Sequence, residues 1–160
     1  VAAMAAQHFD TLFQTPDATA AFGAALALRL LPGDVILLEG PVGAGKTHLA
    51  RALIHAVLLQ DEDVPSPTFT LVQTYDTRNG TLWHSDLYRL TSTFEIEELG
   101  LIDAFADAIC LIEWPDRLGE LTPETALHLT LENTPDDDAR RLHATWSDPK
   151  WQDRLSGLYT

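Results

Sequence analysis

Gly40-Pro41-Val42-Gly43-Ala44-Gly45-Lys46-Thr47 stands between an apolar run and an amphipathic one, and its reading decides the fold. The octapeptide fits G-x-x-x-x-G-K-[ST] at every fixed position, the pattern of a loop that wraps phosphate groups. Upstream, Asp34-Val35-Ile36-Leu37-Leu38-Glu39 is a short apolar run bounded by Pro32-Gly33, which predicts a buried strand feeding the loop. Downstream, His48 to Leu59 places Leu49, Leu53, Ala56 and Val57 at the spacing of a helix packed on a sheet. A chance glycine turn with a solvated lysine would need neither neighbour.

The residue types follow from the chemistry. Gly40, Gly43 and Gly45 let backbone N–H groups approach phosphate oxygens with no Cβ in the way. Pro41, Val42 and Ala44 fill the loop, and the helix that starts at the loop, read from His48 onward, adds orphan donors and its positive end. Lys46 is expected to reach the β- and γ-phosphates, and the Thr47 hydroxyl to complete a magnesium shell. The chain has one other lysine, Lys150, so Lys46 is not one of a crowd. The expected fold class is α/β: a phosphate-loop NTPase fold with a central, mostly parallel sheet, antiparallel hairpins and flanking helices.

Bulk properties narrow the function. At 160 residues the chain is expected to form a single domain over its whole length. The first six residues are expected to be disordered, or a remnant ahead of a native start at Met4. A formal charge of -14 with no Lys/Arg stripe argues against holding DNA or RNA directly, so any nucleic-acid role runs through a partner protein. Cys110 lies in the apolar run Ala108 to Ile112 and reads as a small hydrophobe. Neither an export signal nor a stretch of ~20 apolar residues is visible, which leads to the expectation of a cytoplasmic protein without a membrane span.

The remaining chain supplies the other elements. Gln7 to Gln14 is expected as an edge strand. A helix from Ala18 to Leu31 follows the Thr15 cap and Pro16. Two prolines bracketing Ser66 stiffen the loop that carries Thr68. Thr68 is either a switch residue reading the γ-phosphate or a capping threonine before a strand starting near Phe69, and spacing leaves both open. Asn79-Gly80 predicts a hairpin into Thr81 to Asp86, with Leu82, His84 and Asp86 on one face and Trp83 on the other. Thr93 is expected to cap a helix from Phe94, with Gly100 separating a second helix at Ile102 to Ala106. Ala108 to Glu113 is a second buried strand, followed by a short helical turn from Pro115. Ala126 to Glu132 and Arg141 to Trp146 alternate at period two and form a late hairpin, and Trp151, Leu155 and Leu158 mark a terminal helix.

Hydrolysis of a nucleoside triphosphate needs a carboxylate near the metal and a group that orients water. Glu113 and Asp86 both end strands. Spacing gives Glu113 the magnesium and leaves Asp86 open, and a solvated strand-terminal acid is the alternative for each.

Gly43-Ala44-Gly45-Lys46-Thr47, Ser66-Pro67-Thr68-Phe69-Thr70-Leu71-Val72, His84-x-Asp86-Leu87-Tyr88-Arg89-Leu90, Glu97-Glu98-Leu99-Gly100 and Ile112-Glu113-Trp114-Pro115 occur in this order. Jointly they resemble the TsaE family (formerly YjeE), bacterial ATPases of tRNA threonylcarbamoyladenosine biosynthesis. The resemblance spans about Leu38 to Leu118. It implies ATP or ADP and Mg2+ as ligands, with Thr47 and Asp86 on magnesium and Glu113 near the γ-phosphate and its water. Lys46 and Thr68 would act in catalysis, Thr68 as the switch, and Trp114 would lie beside the nucleotide. It also implies slow ATP hydrolysis in support of TsaB and TsaD, which transfer threonylcarbamoyl to adenosine 37 of tRNAs reading ANN codons. Pro41-Val42 departs from the acidic residue and leucine usual in the family's loop, and Pro41 removes a backbone N–H. Two other readings remain: a small-molecule kinase using Asp86 or Glu113 as base, and a non-catalytic nucleotide-sensing adaptor. A guanine-specifying N/T-K-x-D motif is absent.

Overall fold

The computed structural model describes residues 7–158, and the expectation for residues 1–6 lies outside them. One seven-stranded sheet organises the chain: β1 (Gln7–Phe13), β2 (Val35–Glu39), β3 (Val72–Thr77), β4 (Gly80–Asp86), β5 (Ile109–Glu113), β6 (Leu127–Asn133) and β7 (Arg140–Trp146). Their spatial order is β1-β7-β6-β2-β5-β4-β3. The four central strands β6, β2, β5 and β4 run parallel, and antiparallel pairings add β7 and β1 at one edge and β3 at the other. This is the expected α/β sheet with hairpins at its margins.

The parallel centre is buried on both faces, so β2 and β5 read as unbroken apolar runs. On one face lie α1 (Pro16–Ala27) and α2 (Lys46–Val57), packed with Ile36, Leu38, Leu82, Ile109 and Leu111. Gly23 lets these two helices touch, since a Cβ there would meet Leu49 Cδ1 at 2.8 Å. The other face carries α3 (Thr93–Glu98), α4 (Leu101–Asp107) and a 3-10 helix at Pro115–Leu121, over Val35, Leu37, Cys110 and Ile112. α5 (Lys150–Leu155) buries Trp151 and Leu155. Trp151 Nε1 donates to the Thr125 carbonyl at 2.7 Å, which satisfies the indole.

Several boundaries differ from expectation, and four have a clear local reason. α1 stops at Ala27, because Leu31 N donates to the Asp34 carboxylate at 2.9 Å rather than continuing the helix. α2 begins at Lys46, straight after Gly45 in the left-handed region (φ 97°), and ends where Leu58 bridges to Thr77. β3 begins at Val72 rather than near Phe69: Leu71 has φ 69°, and its N–H closes a turn onto the Pro67 carbonyl at 2.7 Å. α3 is capped by Ser92, not Thr93, because Glu95 lies three residues beyond Ser92 and its N–H reaches the Ser92 hydroxyl.

Candidate functional site

Parallel strands deliver their C-terminal ends to one edge of the sheet, where ligands of open α/β folds bind. β2 ends at Glu39 and opens into the phosphate loop. Its neighbour β5 ends at Glu113, and β4 beyond it ends at Asp86. The β4–β5 register sets Asp86 directly against Glu113. Two acids 27 positions apart in the chain thus become lateral neighbours.

The loop is built on Gly40, whose φ is 140° and where a Cβ would stand 2.3 Å from the Leu131 carbonyl oxygen. Only glycine lets the chain turn there against β6. Ala44 is buried in the core beneath the loop and Pro41, Val42 and Gly43 are exposed above it. Arg140, at the start of β7, donates from Nη2 to the Gly43 carbonyl at 3.4 Å and from Nη1 to the carbonyls of Asp137 and Ala139. Its Nε is buried and has no hydrogen-bond partner among the described residues.

Lys46 is only 6% exposed. Its ammonium donates to the carbonyls of Gly40 and Pro41, and lies 4.5 Å from the centre of the Trp114 ring. Burial holds its pKa below the ordinary lysine value of 10.5, and the nearby Glu113 and Asp86 pull it partly back up. Trp114 itself has φ 59°, an uncommon conformation for so bulky a residue. That turn sends the chain from β5 into the 3-10 helix and packs the indole against Tyr88, 4.8 Å between ring centres with the planes tilted by 53°.

Each acid is held by side chains from other elements. Thr47 donates its hydroxyl to Glu113 Oε1 at 2.9 Å, while His84 Nε2 meets Glu113 Oε2 at 2.7 Å. Thr68 donates to Asp86 Oδ2 at 3.2 Å and shares a 2.7 Å hydrogen bond with Ser66. Asp86 Oδ1 accepts the Tyr88 N–H at 3.0 Å. The Leu71 turn supports this loop, since its carbonyl accepts the Asp86 N–H at 3.0 Å.

These groups open on a cavity of about 450 Å3, within the range of small-ligand sites. Its lining includes Gly43, Gly45, Lys46, Thr47, His48 and Val42 from the loop side. Thr68, Asp86, Glu113 and Trp114 face them. Gly40 and Pro41 instead border a second cavity behind the loop, of about 330 Å3, shared with Glu39, Trp114 and Asp116. Thr47, Asp86 and Glu113 bring a hydroxyl and two carboxylates together, hard oxygen donors of the kind magnesium takes. Among the described residues no group of three or more His, Cys, Asp or Glu could hold a metal ion. Nor is any described helix long and apolar enough to cross a membrane.

Three participants were not singled out by motif spacing. The sequence places His84 on one strand face and Tyr88 beyond that strand, and assigns Arg140 no role. The first two sit in the H-x-D-x-Y run, where alternation already aligned His84 with Asp86. For Arg140 no sequence signal exists, because only the place of β7 in the sheet brings it to the loop.

The family profile described as threonylcarbamoyl adenosine biosynthesis protein TsaE matches residues 13–142. A Rickettsia bellii protein described as tRNA threonylcarbamoyladenosine biosynthesis protein TsaE is 38% identical over 136 residues, covering 85% of this chain and 94% of that protein. A Bacillus subtilis protein of the same description is 35% identical over 124 residues, 77% of each. The crystal structure of Bacillus subtilis YdiB shares the fold, with a TM-score of 0.75 at 24% identity over 96% of this chain and 95% of that one.

Proposed function

This chain belongs to the TsaE family of tRNA threonylcarbamoyladenosine biosynthesis proteins, and on that premise we propose that it binds ATP at the phosphate loop and hydrolyses it. The observation that carries this is the convergence of Lys46, Thr47, Thr68, Asp86, Glu113 and Trp114 on one cavity.

The loop amides and Lys46 bind the phosphate tail. For this, Lys46 exchanges the Gly40 and Pro41 carbonyls for β- and γ-phosphate oxygens, while Trp114 keeps water from its ammonium. Magnesium, when bound, neutralises charge on the β- and γ-phosphates, and Thr47 and Asp86 are the residues that would hold it. Thr68 lies on the Asp86 side, where its hydroxyl can exchange that carboxylate for the γ-phosphate and return after hydrolysis. Glu113 orients the attacking water and takes its proton as the bond to the β-phosphate oxygen breaks, leaving ADP and inorganic phosphate.

The acidic surface suits a subunit that works through other proteins, which we take to be TsaB and TsaD, with tRNA touched only indirectly and the work done in the cytoplasm. Incubation with ATP labelled in the γ-phosphate, alone and with TsaB and TsaD, tests this. Label in inorganic phosphate alone is expected; label on a nucleoside or sugar would make the protein a kinase, and binding without turnover in the presence of both partners an adaptor. Asp86→Ala should weaken magnesium-dependent binding, whereas Glu113→Ala should spare binding and stop turnover. Repeated failure to co-elute with TsaB and TsaD in the presence of ATP would remove the partner half of the reading.

A further inference from the structure

His84 lies on β4 in a layer otherwise filled by Leu82, Ile109 and Leu111, and none of its surface reaches solvent. An imidazole in such a place replaces an apolar side chain at a cost unless its nitrogens are bonded. Nε2 is bonded, to Glu113 Oε2 at 2.7 Å. Nδ1 is buried and has no hydrogen-bond partner among the described residues. Among the described residues, the ring's one side-chain partner is therefore Glu113.

Both oxygens of Glu113 are held in the free protein, one by Thr47 and one by His84. A carboxylate only accepts, so Nε2 carries the donated proton. Thr47 lies in the first turn of α2, and its hydroxyl is one that magnesium, when bound, would draw away from Glu113. Once it leaves, His84 is the remaining side chain bonded to the carboxylate. We propose that His84 is a positioning residue: it pins Oε2 of Glu113, so that Oε1 faces the cavity and is free to receive the proton of the attacking water.

This inference rests on the hydrolytic reading above and adds a residue to it. A group that orients another through a hydrogen bond is typically worth about 10- to 100-fold in activity. His84→Leu keeps the volume and removes the donor, while His84→Gln places an amide N–H at a similar reach. In the presence of the partner proteins, His84→Leu is expected to lower kcat for ATP hydrolysis by about 10- to 100-fold and to leave KM within about twofold. His84→Gln is expected to recover most of the loss. In the background of Glu113→Gln, His84→Leu should cost nothing further, because the two residues act as a unit. Equal losses in kcat and affinity, no recovery by glutamine, or a further full loss in the double variant would each overturn the assignment.

A second readout needs no nucleotide. In protein labelled with 15N-histidine, the His84 Nε2 proton should appear as a slowly exchanging ring signal and be lost in Glu113→Ala. An unchanged signal would overturn the assignment even if hydrolysis is confirmed. A wild type that releases no phosphate would overturn the proposed function, and the ring signal would still decide whether His84 holds Glu113.

Discussion

Replacing Lys46 by methionine isolates the charge proposed to recognise phosphate. Methionine keeps an unbranched apolar chain of similar length, while the ammonium that lies 4.5 Å from the Trp114 ring centre is removed. In the free protein the ammonium already has two carbonyl partners, Gly40 and Pro41. Its net contribution to binding is therefore the attraction to phosphate less what those contacts supplied. A charge pair at ~4 Å in a partly buried site is worth about 4 kcal/mol, and two carbonyl hydrogen bonds from a charged donor at least about 1.5 kcal/mol each. The difference is about 1 kcal/mol, rising toward ~4 if the freed carbonyls find other donors. At 1.4 kcal/mol per tenfold, Lys46→Met should weaken ATP and ADP by roughly 5- to 1000-fold. Adenosine, without phosphates, should bind the variant and the wild type alike. Calorimetric titration of both proteins with ADP, ATP and adenosine reads these numbers, and thermal unfolding shows whether the fold is retained. A loss of less than about fivefold, or an equal loss for adenosine, would refute the placement of phosphate at Lys46. The lowered pKa adds a signature: wild-type affinity should fall on the alkaline side before the pH reaches 10.5, and the methionine variant should show no such step. Folding responds with the opposite sign. The unfolded chain holds this proton more tightly, so the burden of burying the ammonium is full below the folded pKa and is relieved as pH rises toward 10.5.

Three further outcomes test the framework. Gly40→Ala would drive a Cβ into the Leu131 carbonyl and should cost about 2 kcal/mol or more through backbone strain. That is a drop of roughly 4–8 °C in Tm by calorimetry, accompanied by weaker nucleotide binding. Asp34→Ala removes the carboxylate that holds Arg154 at 2.6 Å, Lys150 at 3.0 Å and the Leu31 N–H. Both cations keep some access to water, so the expected loss is about 2–3 kcal/mol, below the usual range for breaking a buried pair and measurable by urea titration. His143 sits between Asp10 and Glu132, and its bond to Asp10, seconded by Glu132, raises its pKa above 6.5. Its stabilising contribution is full below 6.5 and lost as pH rises through the raised value. The Tm gap between wild type and His143→Asn should therefore be larger near ~pH 6 than near ~pH 9, and a gap independent of pH would rule this out.

Much of the fold was legible because its signals are local. Asn79-Gly80 turns a hairpin whatever surrounds it, and the two apolar runs at β2 and β5 could only be buried strands. What misled was equally local in cause but distant in origin. The run from Phe69 has strand composition, yet Phe69 is 84% exposed, because Leu71 turns the chain to anchor the Thr68 loop against Asp86. α1 has helical residues up to Leu31, but Asp34 captures the Leu31 N–H, and Asp34 is itself held by Arg154, 120 positions away.

The sequence by itself determined the strand, loop and helix around Lys46, because glycine conformations and helix capping act within a few residues, and the same motif raised the expectation of a ligand rich in phosphate. Tertiary structure alone decided which atoms would face such a ligand. Thr47 and Glu113 are 66 positions apart, and His84 and Glu113 are 29 apart. Only the β4–β5–β2 register, set by the burial of both sheet faces, brings them within hydrogen-bond distance.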